Sequence, residues 1–119
     1  MKRAQITPND LMYILKDKRL QRIDELTAFA DYKLPQVLRI FGVTEYNKDL
    51  GDKIDTMTEI KRDSREEIEI RAATIWSVEL LRQKIDNLSA NTIDNIIWLL
   101  SQEIVTEAKP YHRTRTIYY

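Results

Sequence analysis

Apolar positions recur at helical spacing along most of the chain, and the residues between them mark starts and stops. Thr7 offers an N-cap, Pro8 suits a first helical position, and Asp10 lies near the positive helix end. A helix is predicted from there to about Asp17, with Leu11, Ile14 and Leu15 on one face, until the charged run Lys16-Asp17-Lys18-Arg19 breaks the pattern. Asp24 is placed to cap a second short helix carrying Leu26 and Phe29. Asp31-Tyr32-Lys33 interrupts it, and Pro35 restarts a helix whose Val37, Leu38 and Phe41 keep the 3.6 period. Gly42 stands where a left-handed C-cap is wanted. Two short helices joined by a tight turn predict a helix-hairpin-helix arrangement.

From Thr44 to Ser64 the chain is polar. Tyr46, Leu50, Ile54 and Met57 recur at helical spacing with Gly51 among them, which predicts one weak helix followed by the charged loop 59–65. Ser64 with Glu67 has the form of a capping box opening the longest helix, Arg65 to about Ile85. Between Ala72 and Leu81 this helix is apolar on nearly every side. It is expected to be central, with Trp76 and Leu80 almost fully buried. Ser89 or Asn91 caps the last helix, on which Ile93, Ile96, Ile97, Leu100 and Ile104 form one stripe, and Pro110 stops it at the latest. The ending His112-Arg113-Thr114-Arg115-Thr116-Ile117-Tyr118-Tyr119 can lie extended. The expectation is one all-α domain over 1–119.

Composition narrows the function. With Lys+Arg 19 against Asp+Glu 19, no global field steers the chain to membrane or nucleic acid, which argues against direct nucleic-acid binding. Cys 0 removes disulfides, a thiolate nucleophile and cysteine zinc sites, and the single His112 removes any histidine-pair metal motif. No metal or cofactor is therefore expected. With Gly 2, a phosphate-cradling glycine loop is excluded. The longest wholly apolar run, Ile96 to Leu100, is far short of the roughly 20 residues of a membrane span. The first eight residues hold no apolar signal-peptide region, so the expected compartment is the cytoplasm.

Three places can carry chemistry. In Ala30-Asp31-Tyr32-Lys33 a carboxylate, a phenol and an amine stand consecutively in a turn; Asp31 is either a catalytic acid on a rigid flank or simply a helix cap. Glu79 stands inside the apolar run of the longest helix. It either receives a polar ligand edge or forms an ion pair with Arg82 or Arg71. Trp76 reads as core before it reads as a stacking platform. The tail gathers Lys109, His112, Arg113 and Arg115 among Tyr111, Tyr118 and Tyr119, a mixture that can hold a phosphate or a nucleobase, or can be a solvated terminus.

The words themselves go further. Leu26-Thr27-Ala28-Phe29-Ala30-Asp31-Tyr32-Lys33-Leu34-Pro35-Gln36-Val37-Leu38 closely resembles the signature of the queuosine salvage protein family. So do Lys2-Arg3-Ala4-Gln5-Ile6, Glu67 to Ala72, Trp76-Ser77-Val78-Glu79-Leu80, and His112-Arg113-Thr114-Arg115-Thr116, all in the family's order. Lys33 stands where the family usually has Arg. The resemblance places these motifs in the C-terminal portion of a longer family protein, so a homo-oligomer or a complementing chain is expected to cover exposed apolar surface.

The resemblance implies a fold related to helix-hairpin-helix DNA glycosylases and hydrolysis of the N-glycosidic bond of queuosine 5'-monophosphate, releasing queuine for salvage into tRNA. It makes Asp31 the catalytic aspartate. Tyr32, Lys33, Arg71, Trp76 and Glu79 enter as motif neighbours that bind substrate, Glu79 accepting from a guanine-like edge and Trp76 stacking on the base. His112 and Arg113 are placed to reach the phosphate. The alternative is a small helix-hairpin-helix binding or scaffold module without catalysis.

Overall fold

In the computed structural model, residues 2–15, 20–104 and 109–116 are described, and among them all regular secondary structure is helical. Five α-helices follow one another: α1 (Lys2–Leu15), α2 (Lys33–Ile40), α3 (Lys48–Asp55), α4 (Arg65–Arg82) and α5 (Ala90–Glu103). A single 3₁₀ turn, Ile23–Glu25, precedes α2. None of these helices is long and apolar enough to cross a membrane.

The core forms where α2, α4 and α5 meet. Leu34, Val37 and Leu38 of α2 are buried with Val78 of α4 and with Ala90, Ile93 and Ile97 of α5. The α2 residues fall at i, i+3 and i+4, so the shortest helix of the three presents an almost wholly buried stripe. Its end is a Schellman motif: Gly42 has φ +69°, its N–H donates to the Arg39 carbonyl at 3.1 Å, and the Val43 N–H reaches the Leu38 carbonyl at 2.8 Å. A second cluster joins Leu50 and Ile54 of α3 to Ile60 and to Ile70 of α4, with Tyr46 packed against it. Asn47 caps α3 by accepting from the Leu50 N–H at 2.9 Å. Met57, expected on that stripe, lies past the helix at φ 58° and is half exposed.

Several expectations are corrected. The first helix does not open at Thr7-Pro8 but runs from Lys2 through Pro8. Its Leu11, Ile14 and Leu15 are exposed, while Asn9 is buried and accepts from the Asn91 side chain at 2.7 Å, tying α1 to α5. No helix carries Leu26 and Phe29. The stretch after Glu25 is extended, and Ala30 has φ 50°, so the expected two-helix hairpin around Asp31 is not formed. On α5, Ile93 and Ile97 are buried but Ile96 and Leu100 are exposed; Asn91, Asp94 and Ser101 are the buried polar residues of that helix. The end of the expected first helix, residues 16–19, and the tail residues Ile117, Tyr118 and Tyr119 lie outside the described residues.

The largest correction concerns α4. It is the longest helix, as expected, and Ser64 caps it by accepting from the Glu67 N–H at 3.3 Å. Yet its buried face is Glu67, Ile70, Thr74, Ser77 and Val78, whereas Trp76 is 63% and Leu80 45% exposed. An apolar stripe says only that a face seeks a partner. Among the described residues, α2 and α5 take one side of α4 and leave the other open.

Candidate functional site

Asp31 sits at the junction of the extended stretch 26–30 and α2. Its Oδ1 accepts from the Lys33 N–H at 2.9 Å, and its carbonyl accepts from the Leu34 N–H at 3.2 Å. The capping role is therefore real, and it fixes the carboxyl group against the positive end of α2. The same residue lines a cavity of about 290 Å³ with Ile6, Asn9, Phe29, Asp94 and Trp98. The cap bond thus holds the carboxyl group in place at the cavity wall.

Asp94 is the residue that the sequence reading missed. It is 3% exposed, and its Oδ2 accepts from the Phe29 N–H at 2.7 Å. That bond clamps the extended stretch to α5 and holds Phe29 and Asp31 at one cavity wall. Helical periodicity gave no hint, since a polar residue between Ile93 and Ile97 reads as solvent-facing. The only available signal was its place next to Ile93 and about one turn from Ala90 and Ile97, all three buried.

A second cluster lies beside the first. The segment 109–116 runs back across the start of α2 as an extended strap. Gln36 Nε2 donates to the Lys109 carbonyl at 2.8 Å, the Ile60 N–H donates to the Arg113 carbonyl at 2.7 Å, and Glu59 and Arg113 form a parallel bridge. The Tyr111 ring lies on Tyr32 with centroids 4.8 Å apart, and Lys33 Nζ stands 5.2 Å from the Tyr111 centroid. Burial, with Asp31 and Tyr111 beside it, raises the Tyr32 phenol above its ordinary value, so it is a donor at neutral pH. Tyr32, Tyr111, Arg113 and Arg115 line an open cavity of about 480 Å³ on this side.

Beneath the strap His112 is 3% exposed. Burial pushes its imidazole down to about 4, against the opposing pull of Glu67 and Asp31 and with Arg71 adding to the fall. It is neutral at pH 7 and adds no positive charge to this cluster. Glu67, wholly buried in the first turn of α4, pairs with Arg71, whose Nε lies 2.6 Å from Oε1 and whose Nη2 donates to Oε2 at 3.0 Å. The capping box is a variant: Glu67 reaches back to the Asp63 N–H at 3.3 Å, while the Ser64 N–H donates to the Lys61 carbonyl.

The structure thus brings Asp31, Tyr32, Lys33, Arg71, His112 and Arg113 to one end of the molecule. Glu79 does not join them. It forms an exposed ion pair with Arg82 at 2.6 Å, and that guanidinium holds its carboxyl below the usual carboxylate range. Its groove is a different one, shared with Asp24, Glu25 and Ser89. Trp76 stands on the open face of α4, away from the residues that line the Asp31 cavity.

Comparison with known proteins converges on one family. The profile described as queuosine salvage protein matches residues 1–119. A queuosine 5'-phosphate N-glycosylase/hydrolase of Sphaerobacter thermophilus is 46% identical over 125 residues, covering 99% of this chain and 39% of its own length. Proteins of the same name from Dictyostelium discoideum and Mus musculus are 38% and 34% identical, each across 99% of this chain. The chain spans about two fifths of the length of these curated relatives. With the match running from its first residue to its last, the chain belongs to the queuosine salvage protein family.

Proposed function

We propose that this chain carries the catalytic aspartate of an N-glycosidase that hydrolyses queuosine 5'-monophosphate to queuine, acting with a polypeptide that corresponds to the rest of its relatives. The observation that carries this reading is Asp31, fixed by its bond to the Lys33 N–H at the wall of a cavity shared with Asp94, Phe29 and Trp98.

The chemistry fits these groups. As the base departs, the sugar gains oxocarbenium character. A fixed carboxylate at Asp31 stabilises that charge and takes the proton of the attacking water. A guanine-like edge offers N–H donors, which a buried acceptor such as Asp94 receives, and the rings of Phe29 and Trp98 supply the flat apolar contact that a base requires. On the strap side, Arg113 and Lys33 are the cations for a 5'-phosphate, with the Tyr32 hydroxyl as a neutral donor. His112, neutral and buried, seats the strap.

The test is queuine release from queuosine 5'-monophosphate by the chain co-expressed with the part of the Sphaerobacter relative that lies outside the match. Asp31→Asn keeps an oxygen for the Lys33 N–H and should fold normally. Turnover should nevertheless fall by roughly 100- to 10000-fold, because an amide neither takes a proton nor faces a cation. Lys33→Arg should be tolerated. Equal rates for wild type and Asp31→Asn would refute the assignment, and absence of release under every condition would favour a binding module.

A further inference from the structure

The outer face of α4 is an apolar surface with a built rim. At 100° per residue, Ile68, Ala72, Ile75, Trp76 and Leu80 fall on a stripe roughly 180° from the buried Glu67, Ile70, Thr74 and Val78. Ile68 is 49%, Ile75 38%, Trp76 63% and Leu80 45% exposed, and Ala72 is exposed between them. The stripe holds two acidic residues, each paired near one of its ends: Glu69, next to Ile68, with Arg65 at 2.6 Å, and Glu79, next to Leu80, with Arg82 at 2.6 Å; from Ala72 to Val78 the helix carries no charge. An apolar centre holding a tryptophan, framed by charged pairs, is the anatomy of a protein interface; a solvated helix face would carry its charges throughout.

We infer that this face is the docking surface for the polypeptide corresponding to the remaining three fifths of the queuosine salvage relatives, with Trp76 as its central anchor. The occupant follows from length. The relatives carry the stretch matched here as 39% of a longer chain, so in them a face of this kind has the other three fifths to close against. It also follows from the inner face being complete: α2 and α5 already cover Val78 and Ile70 lies in the cluster with α3, which leaves the outer face as the open side of α4. The inference rests on family membership and not on the glycosidase reading.

Its test reads binding and needs no turnover. The 119-residue chain is mixed or co-expressed with the segment of the Sphaerobacter relative outside the match, and that relative's own matched segment serves as the positive control. A one-to-one complex is expected, with a blue shift in the Trp76 emission obtained by subtracting a Trp76→Phe variant. Trp76→Lys should weaken the complex by about thirty-fold or more, as loss of an anchor does. Because Trp76 is exposed, this variant should melt at the wild-type temperature, which separates a lost interface from a lost fold. A complex indifferent to Trp76→Lys and Ile75→Lys would overturn the inference. So would a homodimer of this chain that Trp76→Lys dissolves, or failure to bind where the positive control binds.

Discussion

The Glu67–Arg71 pair should respond very unequally to loss of its two members. Glu67 is wholly buried, while the Arg71 side chain keeps 31% of its surface in water. Arg71→Met preserves the aliphatic stem and the helical preference but strands a carboxylate in the interior. Removing one partner of a buried pair costs about 3–5 kcal/mol. The partial exposure of Arg71 means that water already shares in its charge, so a cost of about 2–4 kcal/mol is expected. Glu67→Gln leaves an oxygen for the Asp63 N–H and an arginine that can turn outward to solvent. Its expected cost is about 1–2 kcal/mol, in the range of a lost charge-assisted hydrogen bond.

Urea unfolding at pH 7 checks this, provided the two variants share the wild-type denaturant slope. At about 4 °C per kcal/mol for a domain of this size, Arg71→Met should melt several degrees below Glu67→Gln. The double variant should cost less than the sum of the two, since no stranded charge then remains. If Glu67→Gln proves as damaging as Arg71→Met, the carboxylate is not the desolvated member, and the account of α4 fails.

His112 is ordinary at 6.5 when unfolded and about 4 when folded, so the unfolded chain binds the extra proton between those values; about 3 kcal/mol of stability present above pH 6.5 should be lost on acidification toward pH 4. Urea melts across that range should lose this slope in His112→Gln, and an unchanged slope would show that His112 is not the titrating group. The two glycines should answer alanine with opposite signs: Gly42→Ala, at φ +69°, should cost about 1 kcal/mol. Gly51→Ala, whose added carbon meets Arg39 Nη2 at an ordinary 3.5 Å, should stabilise α3 by about 0.5–1 kcal/mol, and thermal melts decide both. Asp94→Asn should free the extended stretch only in part, because an amide oxygen still accepts from Phe29; hydrogen exchange at Phe29 should therefore rise less in Asp94→Asn than in Asp94→Ala.

What the sequence made legible were the elements whose ends carry their own chemistry. Ser64 before α4 and Gly42 after α2 were readable because a cap acts within a few residues; Ser89 does stand at the start of α5, but its hydroxyl bonds the Asn91 and Thr92 side chains and caps no backbone N–H. The start of α1 was misread for the same reason. Thr7-Pro8 has the chemistry of a helix start, yet one proline near the N-terminal end costs α1 a single hydrogen bond with Ala4, and the helix runs through. Leu26 and Phe29 fit helical spacing, yet residues 26–30 form no helix, and a contact 65 residues away, the Asp94 bond, holds them in place. The motif singled out Asp31, which stands at a cavity wall. Asp94 and Glu67 were not legible, because reading a helix by its apolar stripe assigns every polar position to water.

The inverted character of α4 unites these failures. Its inner face carries Glu67, Thr74 and Ser77, and its outer face carries Ile68, Ile75, Trp76 and Leu80. Two of these inner polar groups have a local solution: Glu67 takes Arg71, and the Thr74 hydroxyl donates to the Ile70 carbonyl one turn back at 2.8 Å. Glu67 and Arg71 both act on the His112 imidazole, so this end of α4 backs the strap with a polar pair. A helix with polar groups on its buried face and a tryptophan turned outward has an apolar second side to cover. Its apolar outer stripe, which runs against the burial expectation for Trp76 and Leu80, is the side of α4 that α2 and α5 leave uncovered.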